Sequence, residues 1–390
     1  MNGGAISGTP KVYGWCPGAL RPMMSGDGLV VRIRAPLGKL SVNQARGVAR
    51  LSQDFGNGLL DISARANLQM RGLRADRYEA LIEGLRGLGL LDPDAQAEAR
   101  RNVLLAPFWA EGDDTHAIAT DLSAALTAAT DLSLPGKFGF AVDCGEAPVL
   151  QDTAADIRIE RAGGTLILRA GGAETGTPVT RESAVAEALA LARWFLKQGG
   201  APEGRGRMHR LIARRGPPAA HAAPMARARF TAKPGAVPAG TLAALEFGQM
   251  PAATLARLAD HGPVRLTPWR MLLVEGAASL PPLPGLILDA ADPRLQVVAC
   301  TGAPGCLQAL SSTRGLARQL APHVPAGTKL HISGCAKGCA CPGTAPLTLT
   351  ATGQEEFSLI RRGTAADQPV KTRLSAAALR AAPELLKEGN

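Results

Sequence analysis

Aromatic residues are scarce, at 4% of 390 positions, and no nucleic-acid motif interrupts them. Nucleic-acid binding is therefore disfavoured. No apolar run reaches the roughly 18 residues that a membrane-spanning helix requires. The opening stretch, MNGGAISGTPKVYGW, lacks a charged n-region followed by an apolar h-region. A cytoplasmic protein with reduced cysteines is the expectation. There is no G-x-G-x-x-G after a strand and no Walker A motif, so neither nicotinamide nor flavin binding is expected, and any electrons would arrive from a separate protein. Histidines number only 6. They form no H-x-E or H-x3-H pair, so no mononuclear iron or zinc site can be read from them.

What is present is an ordinary globular balance, 46% hydrophobic and 19% charged, with a formal net charge of +10. That excess favours an anionic partner. With aromatics few, an acidic small molecule fits better than nucleic acid. Most of the 43 basic residues are still expected to be solvated surface.

Five of the 7 cysteines fall in two short segments. One runs Val298-Ala299-Cys300-Thr301-Gly302-Ala303-Pro304-Gly305-Cys306. The other runs His331-Ile332-Ser333-Gly334-Cys335-Ala336-Lys337-Gly338-Cys339-Ala340-Cys341. They give C-x5-C and C-x3-C, two close pairs of thiolates, the number a [4Fe-4S] cluster requires. Gly302, Gly305, Gly334, Ala336, Gly338 and Ala340 keep the surroundings small, leaving room for the cluster and exposing backbone N–H groups to its sulfides. The alternatives are structural zinc, which the C-x5-C spacing suits poorly, and unliganded thiols. Cys341 would compete with Cys339 and is read as packing. Cys16 and Cys144 are read as small buried residues.

Along the chain, Gly28–Arg34 alternates as a strand, with Arg32 and Arg34 on one face, where paired guanidiniums could hold a carboxylate or oxyanion. Ser41 caps a helix through Phe55. Leu59–Arg65 reads as a second strand continued by 67–70, and Tyr78–Leu88 as a helix. Strand, helix, strand, helix indicates half of a ferredoxin-like α+β layer over residues 1–92. Residues 93–198 read as an α/β module ending in a helix from Arg181 to Lys197. Residues 199–240, rich in Gly, Pro, Ala and Arg, read as an exposed linker. The order then restarts, with a second half at 241–285 and a second module at 286–390. Phe247-Gly248-Gln249-Met250 echoes Leu37-Gly38-Lys39-Leu40, and the strand into Cys335 echoes the strand into Cys144. Across the modules the offset stays about 190 residues, the mark of an internal duplication. The scaffold thus occurs twice and the cysteine pairs once, which separates a metal role from a packing role. A helix expected soon after Cys306 would favour thiolate charge. The duplication places first-half loops opposite the cysteines, with Arg32, Arg34, Arg65, Arg71, Arg101, Lys137, Arg270 and Lys337 as candidates to line a basic cavity between them.

These residues resemble a known family. Val31-Arg32-Ile33-Arg34, Ser63-Ala64-Arg65-Ala66-Asn67-Leu68-Gln69, Arg101-Asn102-Val103, Leu134-Pro135-Gly136-Lys137-Phe138 and the two cysteine pairs resemble the sirohaem-dependent sulfite and nitrite reductases. Within that superfamily the chain is most similar to the precorrin-3B synthases. That similarity rests on Cys16-Pro17-Gly18-Ala19-Leu20-Arg21-Pro22-Met23, Ser25-Gly26-Asp27-Gly28-Leu29 and Leu266-Thr267-Pro268-Trp269-Arg270. It covers nearly the whole chain outside 199–240. It implies an α+β fold of pseudo-twofold, duplicated sulfite/nitrite reductase architecture. It also implies an oxygen-dependent enzyme of aerobic cobalamin synthesis that hydroxylates precorrin-3A at C20 and closes a γ-lactone with the ring A acetate. The resemblance further implies a [4Fe-4S] cluster on Cys300, Cys306, Cys335 and Cys339, and a mononuclear non-haem iron. Arg32, Arg34, Arg65, Arg101, Lys137 and Arg270 would bind the anionic tetrapyrrole, with Arg32, Arg65 and Lys137 nearest the chemistry. One departure stands out. The reductases carry a second lysine two residues after the first, where this chain has Gly139. Sirohaem-based reduction of a small oxyanion needs that cation, and a larger substrate needs the space.

Overall fold

The computed structural model describes residues 17–227 and 230–387. Four sheets arise from two copies of one plan. Val31, Ile33, Leu60, Ile62, Leu68 and Met70 alternate along their strands and are all buried, so each strand offers one apolar face. These strands build an antiparallel sheet in the order Met23–Ser25, Gly28–Ile33, Leu68–Leu73, Leu59–Ile62, Gln249–Pro251. Its counterpart runs Gly235–Val237, Gly240–Leu245, Met271–Glu275, Val264–Leu266, Lys39–Leu40. The last strand of each sheet comes from the other half. The exchange is made by the two echoed tetrapeptides, and both bend alike. Leu37 and Gly38 have φ of 51° and 67°, while Phe247 and Gly248 have 54° and 76°. A left-handed Leu or Phe costs about 1–2 kcal/mol, yet both copies keep it.

The exchange merges the two halves. Val31, Leu60 and Met70 share one core with Ala243, Leu255, Leu272 and Val274. Helix Val42–Phe55 packs against helix Ala252–Leu258 across it. Ser41 starts the first of these with a reciprocal capping box to Gln44.

The modules repeat as closely. In the first, Val103–Leu105, Phe140–Asp143 and Ile157–Ala162 are parallel neighbours, and Thr165–Ala170 returns antiparallel. In the second, Val297–Ala299, Leu330–Ser333 and Ala345–Gly353 are parallel neighbours, and Glu356–Gly363 returns antiparallel. Each module has its own core, one around Phe138, Phe140 and Phe195 and the other around Leu330, Leu349 and Phe357.

Several expectations are corrected. The stretch 59–70 is a hairpin rather than one long strand. Ala66 at φ 52° donates to the Ser63 carbonyl, which puts Arg65 on the turn. Residues 199–240 are no structureless linker. Helix Met208–Arg215 buries Met208, Leu211 and Ile212 in the first module's core, and Gly235–Val237 edges a sheet. The chain closes on a short helix, Ala376–Ala381, followed by a 3-10 turn, Pro383–Leu386. After Cys306 the next helix, Arg314–Leu320, starts only at Arg314, so no helix N-terminus meets that thiol.

Candidate active site

Cys300 leaves the strand Val297–Ala299 with its N–H on the Ile332 carbonyl, so the parallel strand beside it fixes where the thiol begins. The loop then closes on itself, as Cys306 N–H donates to Gly302 O at 2.9 Å. Gly302 has φ 71°, and a side chain there would press on Thr313. Thr313 Oγ1 donates in turn to Cys300 O at 2.7 Å. Cys335 follows the strand Leu330–Ser333, and Ser333 Oγ donates to its carbonyl at 2.7 Å. Gly334 lies against Ala309 with no room for a Cβ, and its N–H donates to Cys300 Sγ at 3.2 Å.

Burial pushes the Cys335 thiol up, and the charges of Cys306 and Cys300 push it further, against the Lys337 backbone hydrogen bond and charge. Cys339 reaches solvent, yet the protein atoms crowding it raise its thiol, and Cys335, Cys300 and Cys306 add to the rise against Lys337. The six described cysteines are all free; Cys16 lies outside the described residues. Among the described residues, no three His, Cys, Asp or Glu side chains converge tightly enough for a single metal ion. With a backbone N–H aimed at a thiol sulfur and small residues around it, this donor set fits a cubane cluster.

Cys144 occupies the first copy. It is buried and its thiol is pushed up to about 12, chiefly by burial, so it is an inert packing residue. The strand before it ends at Asp143, where the copy with the two cysteine pairs has Ser333. Asp143 Oδ2 accepts from Val149 and Leu150 N–H, both at 2.7 Å, and so shapes the loop of the copy that has no cysteine pair.

The basic residues divide into two groups. Arg34 donates to Glu98 O and pairs with the Glu98 carboxylate; burial lowers its pKa, and the neighbouring Arg32 and Arg101 charges lower it too. Arg101 grips Asp92 with both arms, at 2.5 and 2.9 Å, and donates to Arg34 O. Arg65 Nη2 reaches the carbonyl of exposed Lys137 at 3.5 Å. Arg34 and Arg101 line a cavity of about 20 Å³, water-sized. Arg32 donates to Gln69 at 2.7 Å from the polar face of the first sheet. The buried Nε atoms of Arg32 and Arg34 have no hydrogen-bond partner.

Arg270 stands beside the cysteines instead. It is held at φ 60°, donates to Ala340 O at 2.7 Å, and feels the charges of Cys341 and Cys300. Burial, then the Arg314 charge, lowers its pKa. Close by, His331 is fully buried with neither ring nitrogen partnered, and its pKa falls to about 4 through burial and the Arg270 charge.

Two charged residues carry contacts that sequence alone could not give. Arg71 binds Asp27 and Asp61 and donates to Gly305 O in the cysteine loop. Asp61 in turn accepts from Arg314 at 3.1 Å and from Gln249 at 2.9 Å. The first-half sheet therefore faces the second-module cysteines, as the duplication requires. Arg71 is among the basic candidates and Asp61 is not, and their partners lie far along the chain.

Residues 21–88 match the nitrite/sulfite reductase ferredoxin-like half domain. The Mycobacterium tuberculosis NirA protein superposes with a TM-score of 0.64 at 18% identity, covering 93% of this chain and 81% of NirA. The fold is thus that of the sulfite and nitrite reductases. A ferredoxin–nitrite reductase of Synechococcus elongatus is 32% identical over 135 residues, only 32% of this chain and 26% of that protein. A precorrin-3B synthase of a Sinorhizobium species is 30% identical over 408 aligned positions, spanning 91% of this chain and 84% of that one. The chain belongs to the precorrin-3B synthase family.

Proposed function

We propose that this enzyme converts precorrin-3A to precorrin-3B in aerobic cobalamin synthesis. One atom of O2 enters at C20 and the ring A acetate closes a γ-lactone, while two electrons and two protons carry the other oxygen to water. The observation that supports the reading most is family membership across nearly the full length, joined to two cysteine pairs opposite an arginine-bearing sheet face. A [4Fe-4S] cluster on Cys300, Cys306, Cys335 and Cys339 would supply single electrons, delivered by a separate donor protein. The guanidiniums of Arg32 and Arg34 would meet substrate carboxylates, with Arg101 holding Arg34 in place. Arg65 and Lys137, adjacent at the hairpin turn, would add charge at the rim of the same face, and Arg270 would do so beside the cysteines.

Reduction of sulfite or nitrite on sirohaem is the weaker reading. The position of the second reductase lysine is Gly139, where a Cβ would stand 2.7 Å from Asn102 Nδ2. That amide is engaged with Phe138 O at 2.9 Å, so a lysine would have to displace it. Anaerobically reconstituted protein, given precorrin-3A, an electron donor and air, should yield a product one oxygen heavier. A sirohaem Soret band in the purified protein, with nitrite or sulfite turnover and no change in precorrin-3A, would overturn the proposal.

A further inference from the structure

The peptide that carries Cys306 is held at both edges. Gly305 O accepts three hydrogen bonds from the N-terminal half: Ser25 Oγ at 2.6 Å, Arg71 Nη2 at 2.7 Å and Gly26 N–H at 3.2 Å. A carbonyl has two lone pairs, so this one is saturated. On the opposite edge, Cys306 N–H donates to Gly302 O. Arg71 is itself immobilised. It is 5% exposed, binds Asp27 through Nε and Nη2 at 3.0 and 2.9 Å, and reaches Asp61 through Nη1 at 3.3 Å. Gly26 has no slack, since a Cβ there would collide with the Pro304 carbonyl and stand 3.2 Å from Cys306 N.

We infer that Ser25, Gly26 and Arg71 are positioning residues for Cys306, fixing the angle at which its thiolate meets the cluster. The inference rests on the cluster assignment above. A staple that merely joined the two halves could have bonded anywhere along their contact. This one converges on the single carbonyl next to a ligand. Its guanidinium also stands on the sheet face that carries Arg32, because Arg71 follows Gln69 at the same-face spacing and Gln69 pairs with Arg32. The face assigned to substrate carboxylates and the cysteine loop therefore share one rigid set of bonds. A change in that set alters both how firmly Cys306 is held and the hydrogen bonding around the sulfurs that tunes a cluster's potential.

The test uses full-length protein reconstituted with iron and sulfide, as wild type, Ser25→Ala, Gly26→Ala, Arg71→Lys and Arg71→Met. Three quantities are read: the rate of cluster loss to excess EDTA, the midpoint potential by EPR titration, and the thermal midpoint of the apo form. Ser25→Ala removes one donor without crowding. It should lose its cluster roughly two- to tenfold faster, the factor that one lost hydrogen bond represents. Arg71→Lys should fall between wild type and Arg71→Met in both rate and potential, and Gly26→Ala should load least. Wild-type rates and potentials in Ser25→Ala and Arg71→Lys, with only the apo midpoint lowered, would overturn the clamp. Failure of the wild type itself to take up iron and sulfide would overturn the cluster assignment and the clamp together.

Discussion

Replacing Asp143 by Asn tests how the copy without a cysteine pair is held. Asp143 is 1% exposed, and its Oδ1 has no partner. Burial raises its pKa from 3.8 to about 6, against the two backbone N–H bonds that favour the ionised form. A rise of about two units penalises the folded, ionised state by about 3 kcal/mol, at roughly 1.4 kcal/mol per unit. The sign follows from proton binding. Between pH 4 and 6 the folded protein keeps a proton that the unfolded chain has released. Stability from this residue is therefore present below pH 4, is lost as pH rises to 6, and is constant above that. Asparagine keeps an oxygen for Val149 and Leu150 N–H but sets an amide where Oδ1 had no partner, at about 1–2 kcal/mol. Asp143→Asn should thus be less stable than wild type at pH 4 by about that amount, and more stable at pH 8 by about 1–2 kcal/mol. Urea unfolding of both proteins at the two pH values measures the swing of about 3 kcal/mol. A difference that stays constant between pH 4 and pH 8 would refute the assignment of a buried, protonatable Asp143.

Two further outcomes follow from the site and the shared core. Cys306→Ala should lose the visible cluster absorbance after reconstitution, whereas Cys144→Ala should keep it; an unchanged spectrum in Cys306→Ala would refute its role as a ligand. Leu255→Ala, at a fully buried position between the exchanged halves, should cost about 2–5 kcal/mol and lower one cooperative transition for both halves. Two separate transitions would contradict a common core.

Much of the fold could be read because the duplication is written in short, unusual strings. Leu37-Gly38 and Phe247-Gly248 adopt the same left-handed bend, so similarity of sequence and of backbone coincide there. What those strings do could not be read. Lys39–Leu40 is too short for periodicity to declare a strand, and its partner, Val264–Leu266, lies far along the chain. The helix Met208–Arg215 hid for a related reason. Its buried residues Met208, Leu211 and Ile212 have helical spacing, but they span barely two turns among arginines. The cysteine pairs were legible because thiols at fixed spacing are rare and chemically narrow. The arginines were less so, since alternation gives a face but not a partner. Arg34 and Arg101 are engaged by Glu98 and Asp92, and Arg71 by Asp27 and Asp61. Those pairings depend on tertiary contacts that no local pattern encodes.

The most direct measurement is an isotope experiment on the loaded enzyme. Reconstituted protein is mixed anaerobically with precorrin-3A and reduced donor, then exposed to 18O2, and the product is analysed by mass spectrometry. The expected product is the hydroxylactone carrying one labelled oxygen, formed by wild type and not by Cys306→Ala. Unlabelled product, or precorrin-3A unchanged by a protein with its full complement of iron and sulfide, would contradict the proposed reaction.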